Sequence, residues 1–240
     1  MASLLQLRLQ KLWFSASHPR CWGALRRGVA PALEHRQVLQ AIACDRLLDV
    51  GANRGQFSLM LRLLQPHVPI HAYEPQPGEA AVYRSVFHGA ADVQLHETAL
   101  GDQPGTAELH LSGRRDSSSL LPIGELQATL FAGTAEVGTL GVPVATLDSL
   151  ESHWREASRA MLKLDVQGFE LSVLRGARAA LKRCAYVYAE CSDVPLYTGQ
   201  ALYPEVADFL ASEGFKPVRR HNEQWAEGRL VQADYLFGRP

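Results

Sequence analysis

The 240-residue chain predicts an α/β fold, a mostly parallel sheet of seven core strands with helices on both faces and an antiparallel last strand. Three observations carry this expectation. Short apolar strand-like runs alternate with segments of helical spacing through the first hundred residues, and alternation of that kind calls for parallel neighbours. The same rhythm resumes after Thr146. At the end, "FKPVRRH" and "ADYLFGR" follow one another as a closing hairpin pair, which reverses the final strand.

The elements follow in order. Residues 1–33 form a leader, and residues 34–240 are expected to form one domain, since a chain of this length suits one full core better than two small ones. Pro31 and the pattern through Ile42 predict a helix leading into the core. Then come "RLLDV" as strand, "GQFSLMLRLL" as helix, "IHAYE" as strand, "GEAAVYRSVFHG" as helix and "DVQLHETAL" as strand. The region from Gly101 to Thr146 breaks the rhythm. "GTAELHLS" reads as an extra strand, and the long small-residue-rich stretch after it reads as an irregular loop of the length that is usually functional or mobile. Beyond it lie "AMLKLDV" as strand, "FELSVLRGARAAL" as helix, "AYVYAE" as strand and "YPEVADFLASEG" as helix. There is no internal repeat.

Composition narrows the function. A net charge of -1 gives no electrostatic reason to expect a polyanionic partner, so nucleic acid is not the expected substrate. Cys21, Cys44, Cys184 and Cys191 form no CxxC pair and no Cys/His cluster with zinc spacing, so neither a metal nor a disulfide framework is signalled and a cytoplasmic protein with reduced thiols is expected. No apolar run approaches the length of a transmembrane helix. The leader carries Arg8, Lys11, Arg20, Arg26 and Arg27 and no acid, with Leu5, Leu9, Leu12 and Trp13 on one helical face. That pattern is read first as a helix that packs on its own domain or frays, with an anchor for peripheral membrane contact or a transit peptide as the alternative.

The stretch "LLDVGANRGQFSLML" places Asp49 just before a glycine-bearing turn at the head of a helix. In an open α/β sheet the ligand binds beyond the carboxyl ends of the strands, where this turn sits. A dinucleotide fingerprint would read G-x-G-x-x-G, but counting from Gly51 the next two positions hold Asn53 and Gln56. A carboxylate at Asp49 would also repel a pyrophosphate. S-adenosylmethionine fits better, because it has no phosphate and carries an ammonium and a sulfonium. Glu74, closing the second strand, is placed to accept the ribose hydroxyls of an adenosine ligand.

The motifs "LLDVGANRGQFS", "AYEPQP", "TALGD", "TLDSL" and "LKLDVQGFELSVLRGA" followed by "AECSDVPLYTG" resemble the FkbM family of S-adenosylmethionine-dependent methyltransferases, from about Glu34 to Gly214. The resemblance implies a class I methyltransferase (Rossmann-like) fold and O-methylation of a hydroxyl on a sugar, glycan or polyketide-like acceptor. It also implies that Asp49, Gly51, Asn53 and Gly55 form the turn around the methionine portion, that Glu74 takes the ribose, and that Thr98 and Ala99 lie beside the adenine. The family's fourth-strand motif often reads K-x-D-x-E-G-x-E; here Gln167 stands at the first Glu position, and it cannot take a proton at neutral pH.

Methyl transfer to an alcohol needs alignment of the acceptor and a base for its proton. Asp165, at the end of the fourth strand, is the first candidate, as base, as a positioning residue or as a helix cap; Glu190, at the end of the fifth, is the second. Two acids from separate strands make a thin ligand set, so no metal is assigned. Glu170 is expected on a helix surface, His88, His96 and His110 show no metal spacing, and His153 and Trp154 are expected on a surface helix. Ser117 to Leu120 reads either as a cofactor or acceptor contact or as a polar loop. The rivals are a nicotinamide-dependent oxidoreductase and a catalytically silent protein that binds at a membrane surface through residues 1–33. The sequence does not name the acceptor or the oligomeric state.

Overall fold

The computed structural model describes Lys11, Trp13, Phe14 and residues 17–239. The central sheet has seven strands in the order β3-β2-β1-β7-β8-β10-β9: β1 (Arg46–Val50), β2 (Ile70–Tyr73), β3 (Val93–His96), β7 (Ala160–Leu164), β8 (Cys184–Ser192), β9 (Lys216–Ala226) and β10 (Arg229–Gly238). All neighbours are parallel except β10, which runs antiparallel to both β8 and β9. This is the expected seven-stranded class I methyltransferase sheet. Strand order reverses beside β1, so the carboxyl ends of β1 and β7 splay apart there and open a crevice.

Helices cover both faces: α1 (Trp22–Leu25), α2 (Arg36–Ala41), α3 (Gln56–Leu64), α4 (Pro77–Val86), α5 (Glu125–Leu130), α6 (Glu170–Arg175), α7 (Arg178–Leu181) and α8 (Tyr203–Ser212). Because side chains alternate along a strand, Leu47 and Met161 pack with Leu39, Met60 and Leu61 on one face, while Leu48, Leu162 and Leu164 pack with Val173, Leu174 and Leu210 on the other. Burial on both sides explains why these strands read as unbroken apolar runs.

Between Gly101 and Thr146 the chain is more ordered than its sequence announces. β4 (Ala99–Leu100), β5 (Gly105–Ser112) and β6 (Glu136–Ala145) form a second sheet in the order β4-β6-β5, with β5 and β6 antiparallel, and α5 lies in the connection. β6 is largely exposed and carries Gly138 and Gly141, so it shows no alternation of apolar and polar residues to read. The predicted third strand also divides, β3 ending at His96 and β4 joining the second sheet. The helix predicted after the fourth core strand is broken at Gly176, where an added Cβ would fall 2.0 Å from the carbonyl oxygen of Gly101. The close approach of these two backbones stops the helix.

The segment predicted as a helix from Pro31 is a 3-10 turn, Leu33–His35, followed by α2. Before it, Phe14 packs against Val38 and Leu39, Ala24 and Val29 pack with Leu59, and Lys11 pairs with Glu34 at 2.8 Å. The described part of the leader therefore lies on the domain, although Trp13 stays 76% exposed. Arg8, Leu5, Leu9 and Leu12 lie outside the described residues. No described helix is long and apolar enough to cross a membrane.

Candidate active site

A cavity of about 510 Å³, within the range of small-molecule sites, opens at the carboxyl ends of β1, β2 and β7. The loop of residues 51–55 forms one wall, and its N–H groups all have protein partners. The N–H groups of Gly51 and Ala52 donate to the carbonyl of Tyr73, that of Asn53 to Glu74 Oε2 at 2.8 Å, that of Arg54 to Asn53 Oδ1, and that of Gly55 to the carbonyl of Ala52. A pyrophosphate is held by free backbone donors at this turn; here those from Gly51 to Gly55 already have partners.

Behind the loop, Asp49 and Lys163 are register partners on β1 and β7. Asp49 is fully buried; Ser58 Oγ donates to its Oδ2 at 2.6 Å, and Lys163 Nζ lies 3.1 Å from its Oδ1 as an ion pair without hydrogen-bond alignment. Lys163 also donates to the carbonyl oxygens of Gly51 at 2.7 Å and Val50 at 3.3 Å. Burial works to lower its pKa, but Asp49 and Asp165 outweigh burial and hold it above the ordinary lysine value. Asp49 thus tightens the loop from below and does not line the cavity. Gly55 does not line it either; at φ 90° it starts α3 against Tyr83 and Phe87, with no room for a side chain.

The other expected residues reach the wall: Gly51, Asn53, Glu74, Thr98, Ala99 and Asp165 all line the cavity. Glu74 is anchored by the N–H of Asn53 on one oxygen and that of Gln76 on the other at 2.9 Å. Burial pushes its pKa up to about 7 against those two bonds. Thr98 donates through Oγ1 to the carbonyl of Pro143, which ties this end of the cavity to the second sheet. Ser118, Ser119 and Leu120 line the same end.

Glu190 stands back from the cavity. Gln167, whose φ is 54°, donates through Nε2 to Asp165 Oδ1 at 2.7 Å and to Glu190 Oε2 at 2.9 Å, while its Oε1 accepts from Tyr197 Oη. Burial, with Asp165 and Asp234 nearby, pushes the pKa of the Glu190 carboxyl well above the ordinary carboxylate range. An amide at position 167 bridges two acids that a third carboxylate would repel. Glu170, expected at the surface, is buried; its Oε1 accepts the N–H groups of Val166 and Gly168, and burial pushes its pKa up to about 7.

Sequence reasoning missed His35, Lys163 and Gln224 on the cavity wall. It also missed a cluster of His71, His96 and His153, whose ligand atoms lie within 4.8 Å of one another. These rings lie face to face, His153 at 4.5 Å over His71 and 4.2 Å over His96, so the lone pairs of His153 lie in a plane nearly parallel to theirs and do not converge with them on one point. Nδ1 of His71 is 3.2 Å from Nε2 of His96, Tyr73 Oη is 2.9 Å from Nδ1 of His153, and Arg46 closes the side of His71. Trp154, also expected at the surface, is buried, with Nε1 donating to the carbonyl of Leu147.

The cavity suits S-adenosylmethionine. An anchored carboxylate on its wall can receive a diol, and the used loop donors leave nothing for a phosphate there. Comparison with known proteins agrees: a family model described as the methyltransferase FkbM domain matches residues 49–217. The 2-O-methyltransferase NoeI of Sinorhizobium fredii is 26% identical over 78% of this chain and 81% of its own length. The 31-O-demethyl-FK506 methyltransferase FkbM of Streptomyces tacrolimicus is 28% identical over 78% of this chain and 79% of its own. Among solved structures, a precorrin-6y C5,15-methyltransferase of Geobacter metallireducens superposes with a TM-score of 0.48 at 14% identity, covering 86% of this chain and 87% of that one.

Proposed function

The chain belongs to the FkbM methyltransferase family and uses S-adenosylmethionine, and from that premise we propose that it methylates a hydroxyl of a sugar, glycan or polyketide-like acceptor. The observation that carries this reading is a loop whose N–H donors are already used beside Glu74, which is bonded to that loop and lines the cavity. When bound, S-adenosylmethionine supplies an electrophilic methyl group on a sulfonium. Glu74 accepts the ribose hydroxyls, Thr98 and Ala99 flank the adenine, and Gly51 and Asn53 contact the methionine portion. Asp49 and Gly55 act from behind, keeping that loop in shape.

Asp165 then faces the acceptor as a positioning group. Its carboxylate is engaged by Gln167 at 2.7 Å and by Lys163 at 3.8 Å. Glu190 supports it through Gln167. The remaining requirement is alignment and the exclusion of water, which the second sheet supplies from above.

Calorimetry with S-adenosylhomocysteine and NAD, followed by transfer of tritiated methyl into fractionated extract of the source cell, tests the reading. Binding of NAD in place of the sulfur ligand would restore the oxidoreductase rival. On this reading residues 34–240 form the catalytic domain and the basic leader adds Lys11 to the cavity wall. The exposed Trp13 favours a second role for the leader, peripheral contact with a membrane surface, which liposome flotation of the full chain beside Trp13→Ser would check.

A further inference from the structure

His35 is the cavity-lining residue with the most complete supporting frame. It closes the 3-10 turn Leu33–His35, which is tied to the loop helix by the N–H of Ala32 donating to the carbonyl of Gln56. Its ring is packed edge-on against Phe57, with centroids 5.2 Å apart, and against Tyr188, at 5.6 Å. Among the described residues, every polar contact of the ring's nitrogens falls on one of them. Nδ1 lies 3.0 Å from Tyr188 Oη, 3.2 Å from Asn222 Nδ2 and 3.5 Å from Asp234 Oδ2. Asn222 Nδ2 in turn donates to Asp234 Oδ2 at 2.6 Å. Nε2, on the other side of the ring, has no protein partner among the described residues.

Tyr188 Oη at 3.0 Å and Asp234 Oδ2 at 3.5 Å are both placed to accept from an Nδ1–H of His35. With the proton there, Nε2 is the unprotonated nitrogen. The other acids on this wall are engaged. Glu34 is paired with Lys11, Asp165 is held by Gln167 and Lys163, Asp116 is paired with Arg114, and Glu74 accepts the N–H groups of Asn53 and Gln76.

Resting on the O-methyl-transfer reading above, we propose that His35 is the general base of the reaction, with Tyr188 and Asp234 as positioning residues that hold its ring and its tautomer. The acceptor oxygen forms its bond to the methyl carbon as the carbon–sulfur bond breaks and its electron pair returns to sulfur. The hydroxyl proton passes to Nε2. The imidazolium so formed faces Asp234 at 3.5 Å. Histidine suits the task because its ordinary titration range lies near neutral pH.

The test uses the full chain with S-adenosylhomocysteine bound. Long-range proton–nitrogen spectra, with the signal assigned by its loss in His35→Gln, are expected to show the Nδ1–H tautomer in the wild type and its loss in Tyr188→Phe. His35→Gln is expected to bind S-adenosylhomocysteine within about twofold of wild type but to transfer tritiated methyl about 10²- to 10⁴-fold more slowly into the extract fraction that the wild type labels. Its residual rate should keep rising with pH where the wild type levels off. Asp234→Asn should move the acid limb of the wild-type profile to lower pH. An Nε2–H tautomer, or a His35→Gln rate and pH profile equal to wild type, overturns the assignment while leaving methyl transfer standing. Failure of the wild type to label any hydroxylic product overturns the transfer reading, and the base with it.

Discussion

Lys163 and Asp49 face each other across the β1–β7 register with the ammonium 3.1 Å from Asp49 Oδ1, and both side chains are buried. Three oxygens at the end of β1, from Asp49, Val50 and Gly51, converge on one cation. The pair therefore belongs to the architecture of the loop.

Removing one partner leaves the other charge buried alone. Lys163→Met should cost about 3–5 kcal/mol of stability, and Asp49→Asn less, since Ser58 can still bond an amide oxygen. The double variant should lose less than the sum of the two. Urea denaturation of the four proteins measures this, and strict additivity would show that the two residues do not act as a pair.

Glu74 should behave differently, because it lines the cavity. Glu74→Gln is expected to weaken S-adenosylhomocysteine binding by about 1–3 kcal/mol, the range for hydrogen bonds to charged groups. Burial sets its pKa at about 7, and the ionised form is the better acceptor for two hydroxyls. Affinity in the wild type should therefore rise with pH up to about 7 and then level off. Calorimetry across that range should find the slope gone in Glu74→Gln; a slope that persists would place the titration elsewhere.

How much of this was legible follows from where each signal lives. The core strands declare themselves because burial on both faces demands unbroken apolar runs, as in Arg46–Val50 and Ala160–Leu164. Local motifs placed Gly51, Asn53, Glu74, Thr98, Ala99 and Asp165 on one cavity. Asp49 was legible as a residue but not in its direction, since its partner is set by the β1–β7 register, which no local spacing encodes. His35 was invisible for the same reason: its partners Tyr188, Asn222 and Asp234 come from β8, β9 and β10, more than a hundred residues away. The second sheet was hidden because an exposed, glycine-bearing strand lacks an apolar period.

The stacked histidines predict acid lability. Burial holds the pKa of His71 down at about 3 and that of His96 at about 4, against 6.5 unfolded. Below 6.5 the unfolded chain binds protons that these folded rings refuse, so their contribution to stability falls as pH drops through the window between about 6.5 and 4. Arg46, on the same face, adds to the penalty on His71. Glu74 and Glu170, with pKa values of about 7, work in the opposite sense over part of the window, so the comparison must be made between variants. Urea midpoints measured from pH 7 down to pH 4 should fall less steeply for His96→Gln than for wild type, and parallel curves would remove the cluster as the cause.

Gln167 gives the sharpest test of the acid cluster, because the change is one atom. Its Nε2 donates to both Asp165 and Glu190, and the positive φ fixes the side chain between them. Gln167→Glu replaces a donor with a third acid, which must either stay protonated or face two carboxyls across less than a side chain's length. A destabilisation of about 1–3 kcal/mol is expected at pH 8, shrinking toward pH 5 as the cluster takes up a proton. Exchanging the roles should recover part of it: in Gln167→Glu with Glu190→Gln, position 190 becomes the donor and position 167 the acceptor and the count of charges is restored, while Asp165 loses its amide donor. Denaturation midpoints at the two pH values decide the matter, since a double variant no more stable than Gln167→Glu alone would mean that the bridge depends on the backbone turn at Gln167 and not on where the donor sits.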